Sequence, residues 1–187
     1  MTDFRPWDQT SAWKSESAFW GWVRGNLRKA LWQHYPLRTE FKKENTWAVS
    51  QKEREKYDLN KRVKRVGRCA LTGDIYPASK LVVDHIEPAG TLKSWDDLPH
   101  FIEKLLCSKE NLQLVCKEAH DIKTYMDRYG VDFEQAKNEK EVIQFSKLTP
   151  DQQRAKLRDH GVDEDSMSNQ KKRKDVYREI LGGNYED

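Results

Sequence analysis

The stretch RCALTGDIYPASKLVVDHI, residues 68–86, limits the fold more than any other part of the chain. Strand-forming residues stand on both sides of two turn-forming groups, Thr72-Gly73-Asp74 and Pro77-Ala78-Ser79, which predicts two short antiparallel strands. The second runs Leu81-Val82-Val83 into Asp84 and His85, an acid and an imidazole side by side where a buried strand ends. Successive side chains on a strand point to opposite faces, so the two cannot both be ligands of one ion from an ideal strand. One can face a metal while the other faces an attacking water.

On either side the pattern turns helical. Phe19, Trp22, Val23, Leu27, Ala30 and Leu31 recur at steps of three and four, drawing one apolar stripe along a helix that ends before Pro36. Trp20 and Trp32 lie off that stripe and are expected in the core, under a second element. A second helix is expected after Pro36, through FKKENTWAVSQKEREKY, becoming a charged connector at its end. The passage EPAGTLKSWDDLPHFIEKLLCSKENLQLVC reads as long and irregular, apart from a short helix capped by Asp97 with Pro99 in its first turn. KEAHDIKTYMDRYG predicts a helix closed by Gly130. Thr149, Pro150 and Gln152 form a helix start that Gly161 later stops, and a last helix is expected from Ser168 to Gly182 and Gly183. The fold class is therefore α+β. A helical, Trp-rich extension over 1–60 precedes a small core at 61–130, and a helical, partly basic extension follows over 131–187.

Charge indicates the kind of partner. Of 187 residues, 35% are charged and 36% hydrophobic, and the net charge of +3 conceals two basic blocks, KRVKRVGR at 61–68 and KKRK at 171–174. Such blocks suit a polyanion. The candidate nucleic-acid contacts are Lys61, Arg62, Lys64, Arg65, Arg68, Lys171, Lys172 and Arg173. No signal peptide is visible and no apolar run approaches the roughly 20 residues that span a bilayer, so a cytoplasmic protein without a membrane partner is expected. The three cysteines, Cys69, Cys107 and Cys116, lack the spacing of a disulfide framework.

Downstream of Asp84 and His85 come Asn111, in ENLQLVC, and His120, in EAHDIKT. A carboxylate and a neutral imidazole can hold a divalent cation such as Mg²⁺, Mn²⁺ or Zn²⁺ with most positions left open for substrate. RCALTG, VVDHIEPAG, ENLQLVC and EAHDIKT, taken in order, resemble the successive motifs of the HNH endonucleases. The resemblance covers residues 69–124. It implies a ββα-metal unit, a two-stranded antiparallel hairpin and a helix around one divalent cation, Mg²⁺ or Mn²⁺ by preference and Zn²⁺ or Ni²⁺ as alternatives. By the same resemblance His85 is the general base, Asp84 and His120 hold the metal, Asn111 pins the loop that orients His85, and Lys123 meets a phosphate.

Many members of that family add two Cys-x-x-Cys pairs around a structural zinc. Here the pairs read Cys69-Ala-Leu-Thr72 and Cys116-Lys-Glu-Ala119, so half the thiols are missing and no structural zinc is expected; Cys69 and Cys116 should pack together as small hydrophobes. The flanking helices and the insert GTLKSWDDLPHFIEKLL resemble extensions of bacteriophage-encoded HNH proteins, which implies a product acting on DNA in a bacterial cytoplasm, with phage packaging or replication proteins as possible partners. Monomer and dimer stay equally open. Two rival functions remain at this stage: a catalytically weak nucleic-acid-binding or packaging accessory on the same scaffold, and an interaction module that inhibits a host factor through the Trp-rich helices. The intact set of Asp84, His85, Asn111 and His120 favours the enzyme, because a binding module does not need it. His34, His100 and His160 fit no motif.

Overall fold

The structure is a computed structural model and describes residues 4–182. It is 56% helical and 11% strand, an α+β composition. The chain divides into two compact units, Met1–Lys117 and Glu118–Asp187. The boundary falls inside the segment expected to be a core of its own, so the first unit joins the N-terminal extension to the strands.

In the first unit, helix α1 (Glu16–Leu27) starts at Ser15, whose side chain accepts from the Ala18 N–H, and continues into a π-helical segment, Arg28–Trp32. Pro36 opens α2 (Pro36–Glu44). The expected long second helix stops there. Thr46–Ala48 is strand β1, and Ser50 begins the short α3 (Gln51–Lys56) with a capping box to Glu53. The β-branched and aromatic run Thr-Trp-Ala-Val interrupts the helix because it pairs with strand β2 (Arg65–Arg68), an interaction that helical periodicity cannot reveal.

β2 in turn pairs antiparallel with β3 (Ile75–Pro77) across the turn at Gly73, whose φ of +75° suits glycine. Gly67 of β2 is needed for another reason: a Cβ there would lie 2.9 Å from Leu81 Cδ1 and 3.0 Å from the Asn45 carbonyl oxygen. Glycine thus lets this three-stranded sheet press against strand β4 (Leu81–His85). β4 does not join that sheet. It pairs antiparallel with β5 (Leu112–Cys116), with Leu81 opposite Cys116 and His85 opposite Leu112. LQLVC was expected to be irregular, and becomes a strand because its alternating Leu112 and Leu114 share a buried face with Leu81 and Val83.

Between β4 and β5 the insert folds into α4 (Leu98–Leu105) and packs on α1. Phe19, Trp20, Ala89, Leu92, Phe101 and Leu105 form the buried cluster, with Leu27, Leu31 and Trp32 partly buried against it. Trp20 is 3% exposed, as expected of a core residue, and its Nε1 donates to Glu16 at 3.2 Å. Trp22, on the expected stripe, is instead 54% exposed, because the insert covers the side of α1 that carries Phe19 and Trp20. Asp97 precedes α4 without capping it; its Oδ2 accepts from the N–H groups of Lys93 and Ser94 and tightens the turn before the helix.

The second unit is all helical. α5 (Lys117–Tyr129) ends at Gly130, φ +67°, and α6 (Phe133–Ser146) starts from an Asp132–Gln135 capping box. α7 (Pro150–Asp159) has the expected Thr149–Gln152 box and stops at Gly161, φ +77°. α8 (Gln170–Ile180) is capped by Asn169 rather than Ser168 and is followed by Gly182, φ +82°; Gly183 lies outside the described residues. Val142, Phe145, Leu157, Met167 and Tyr177 form its core, with the Phe145 and Tyr177 rings stacked at 4.2 Å. Among the described residues no helix is long and apolar enough to cross a membrane.

Candidate active site

The β4–β5 hairpin brings Asp84, His85 and Asn111 to one end of the first unit. Strand alternation sends His85 to the buried face with Leu81 and Val83, and Asp84 to the other face beside Gln113, whose Nε2 lies 3.4 Å from Asp84 Oδ2.

His85 is only 8% exposed. Its Nε2 lies 3.0 Å from the carbonyl oxygen of Leu105, in the last turn of α4. A carbonyl can only accept, so Nε2 carries the hydrogen of this bond. The contact also satisfies one of the carbonyls that a helix end leaves without an intrahelical donor. The Tyr35 hydroxyl lies between the next two carbonyls, 3.2 Å from the Leu106 oxygen and 3.0 Å from that of Cys107, and its single hydrogen is shared between them. Trp32 packs on the imidazole with ring centroids 4.1 Å apart, and the Arg38 guanidinium lies 5.4 Å from the Trp32 ring.

Asn111 continues the ladder past the end of the hairpin. Its carbonyl accepts from Ile86 N–H at 2.9 Å, its Oδ1 accepts from Glu87 N–H at 2.8 Å, and its Nδ2 donates to the Glu87 carbonyl at 3.1 Å. The side chain therefore stands in for one more backbone pair and fixes the chain immediately after His85. Asn111→Asp puts an oxygen against the Glu87 carbonyl. The expected result is a loss of about 1–3 kcal/mol of stability, read as a lower denaturant midpoint, with Asn111→Ala milder because it removes the bonds without adding repulsion.

Two residues of the π-helical segment reach this end of the hairpin, and neither is marked as a site residue by its sequence. Trp32 is one. Arg28 is the other: burial, and then the neighbouring charge of Arg24, push its guanidinium below the ordinary arginine range, while the Asp84 carboxylate pulls it upward. Nothing in the local pattern RKALW announces either role, because the extra residue per turn that rotates them is set by packing on α4.

His120 lies in the first turn of α5, which begins directly after β5. It is half-buried, with its Nδ1 3.9 Å from an Asp121 carboxylate oxygen. Lys123, one turn on, is 9% exposed, and its ammonium is 2.6 Å from Asp127. Among the described residues no three His, Cys, Asp or Glu side chains group as a metal-binding set.

The cysteines have a clear arrangement. Cys69 and Cys116 are both buried, and Cys116 N–H donates to Cys69 Sγ at 3.3 Å. Burial disfavours the Cys69 thiolate, yet hydrogen bonds from the Thr72 hydroxyl and the N–H groups of Cys116, Thr72 and Leu71 outweigh it and hold the thiol below the ordinary cysteine range. Cys107 stands apart and is raised by burial.

The expected basic contacts separate by exposure. Lys61, Arg62, Lys64, Arg65, Arg68, Lys171 and Lys172 are exposed. Arg65 spends its guanidinium on the Thr46 hydroxyl, the Thr46 carbonyl and the Lys43 carbonyl. Arg173 requires correction: it is 5% exposed, donates to Gln153 Oε1 at 2.7 Å and to the Met167 carbonyl at 2.9 Å, and is therefore a structural residue rather than a nucleic-acid contact. A basic run cannot show which of its members a neighbouring helix will cover.

Comparison with protein-family models, with curated proteins and with solved structures finds no match to this chain.

Proposed function

We propose that this protein is an HNH-type endonuclease that hydrolyses phosphodiester bonds in DNA, acting as a phage-encoded enzyme in a bacterial cytoplasm. The observation that carries the reading is the setting of His85. A hydrogen bond to a helix-end carbonyl fixes its tautomer, a tryptophan ring braces its face, and a carboxylate precedes it on the same strand. Asn111 fixes the backbone that follows it, so the imidazole is held by groups on three sides of the sequence motif.

In this reading His85 Nδ1 takes a proton from the water that attacks phosphorus, and the Leu105 carbonyl keeps its bond to Nε2–H in both protonation states of the ring. Trp32 limits rotation of the imidazole, and Asn111 keeps the segment after His85 from shifting. Asp84 and His120, a carboxylate and an imidazole, suit a hard or borderline divalent cation and would hold it. Once bound, such an ion supplies positive charge against the growing charge on the phosphate and the leaving oxygen. The assignment of His120 rests on the order of the motifs. Exposed Lys61, Arg62, Lys64, Lys171 and Lys172 would add sequence-independent attraction to the backbone.

The test is incubation of the full chain with supercoiled plasmid in Mg²⁺, in Mn²⁺ and in chelator. Nicked or linear product only with metal is the expected result. Retardation of DNA in a gel without cleavage under any condition would transfer the reading to an accessory nucleic-acid-binding protein.

A further inference from the structure

We infer that the first unit binds a backbone phosphate of its nucleic-acid substrate in a basic cleft formed by Arg38, Lys42 and Lys43 of α2 and Arg65 of β2, outside every motif of the candidate active site. The inference rests on the nuclease reading and specifies how the substrate backbone is held.

The cleft has a volume of about 420 Å³, and no acidic residue is among its lining side chains. Arg38 and Lys42 reach it from one face of α2 because they stand at i and i+4, and the adjoining Lys43 lines its edge. Arg65 is held rigidly opposite by its bonds to Thr46 and Lys43. Val83, the residue before Asp84, also lines the cleft, so a phosphate bound there lies beside the strand that carries the candidate catalytic pair.

Two features distinguish this cleft from an ordinary solvated basic face. The Arg38 Nε is buried and has no hydrogen-bond partner, so no acceptor of the protein meets the guanidinium at that nitrogen. Lys42 gives one hydrogen to the Leu81 carbonyl at 2.7 Å, and burial, then Arg38, then Lys117 hold its ammonium below the ordinary lysine range. Crowded, partly desolvated cations without a carboxylate repel one another, and a bound phosphodiester relieves that repulsion. Of the two acids on α2, Glu44 is already paired with Lys109 at 2.7 Å, and Glu40 does not line the cleft. The sequence signal, Arg38 followed by Lys42-Lys43, lies in the expected second helix, where no motif sets it apart from other basic residues.

Binding of a labelled DNA duplex, measured by fluorescence anisotropy in chelator across about 0.05–0.2 M salt, tests the assignment. Loss of two phosphate contacts in Arg38→Gln/Lys43→Gln should make the log–log salt dependence shallower by roughly 1.8 and weaken binding by roughly 60-fold at about 0.1 M salt. Lys52→Gln/Lys56→Gln removes equal charge from α3, outside the cleft, and should leave the slope near that of the parent. Lys43→Glu, a single change at an exposed position, should weaken binding in the same direction if the double variant fails to fold. An unchanged slope in the cleft variants, or an equal loss in the α3 pair, overturns the cleft while cleavage by the parent leaves the nuclease reading standing. Absence of both binding and metal-dependent cleavage in the parent overturns both.

Discussion

His85→Ala is expected to lower metal-dependent plasmid cleavage by about 10²–10⁴-fold, the usual contribution of a positioned general base. DNA affinity in chelator should change little, because His85 is buried and contributes no surface charge. The substitution also removes the bond to Leu105 and the partner of the Trp32 ring, so part of the loss could come from loosening of α4 against the hairpin. His85→Gln separates the two effects. Its amide can still donate to the Leu105 carbonyl but offers no basic nitrogen, so it should restore most of the thermal stability and none of the cleavage. Rescue of cleavage by glutamine would mean that the ring serves only to support α4, and the base assignment would then fall.

The largest stability effect is expected at Arg173. Arg173→Met keeps much of the aliphatic volume but leaves Gln153 Oε1 and the Met167 carbonyl without their donor inside a buried site. Two orphaned acceptors should cost about 2–4 kcal/mol. Far-UV circular dichroism during denaturant unfolding detects the loss in the helical second unit. All seven tryptophans lie at or before Trp95, so their fluorescence follows the first unit and serves as an internal reference. Lys171→Gln and Lys172→Gln, at exposed neighbours in the same basic run, should stay within about 0.5 kcal/mol of the parent. A destabilisation of the surface pair as large as that of Arg173 would show that the run acts as one charged face, contrary to the buried role drawn above.

Much of the local structure was legible because its causes are local. The capping box of Thr149 and Gln152, the stops at Gly130 and Gly161 and the placement of Asp84 and His85 at the end of a strand each depend on residues a few positions apart. The break after α2 was not legible, since β1 exists only through pairing with β2 nearly twenty residues away. Trp22 departs from its expected place for a related reason: helical periodicity identifies apolar positions, but only the insert decides which side of α1 becomes the inside.

The sequence by itself determined the start of α7, the glycine stops of α5 and α7, the acid and imidazole at the end of β4 and the order of the motifs. All of these follow from the preferences of short segments and from the alternation of a strand. Tertiary structure decided the pairing of β4 with β5 across the insert, the tautomer imposed on His85 by Leu105, the approach of Trp32 and Arg28, and the burial of Arg173 and Lys123. Those outcomes depend on which distant surfaces exclude water together, and that information is absent from any single segment.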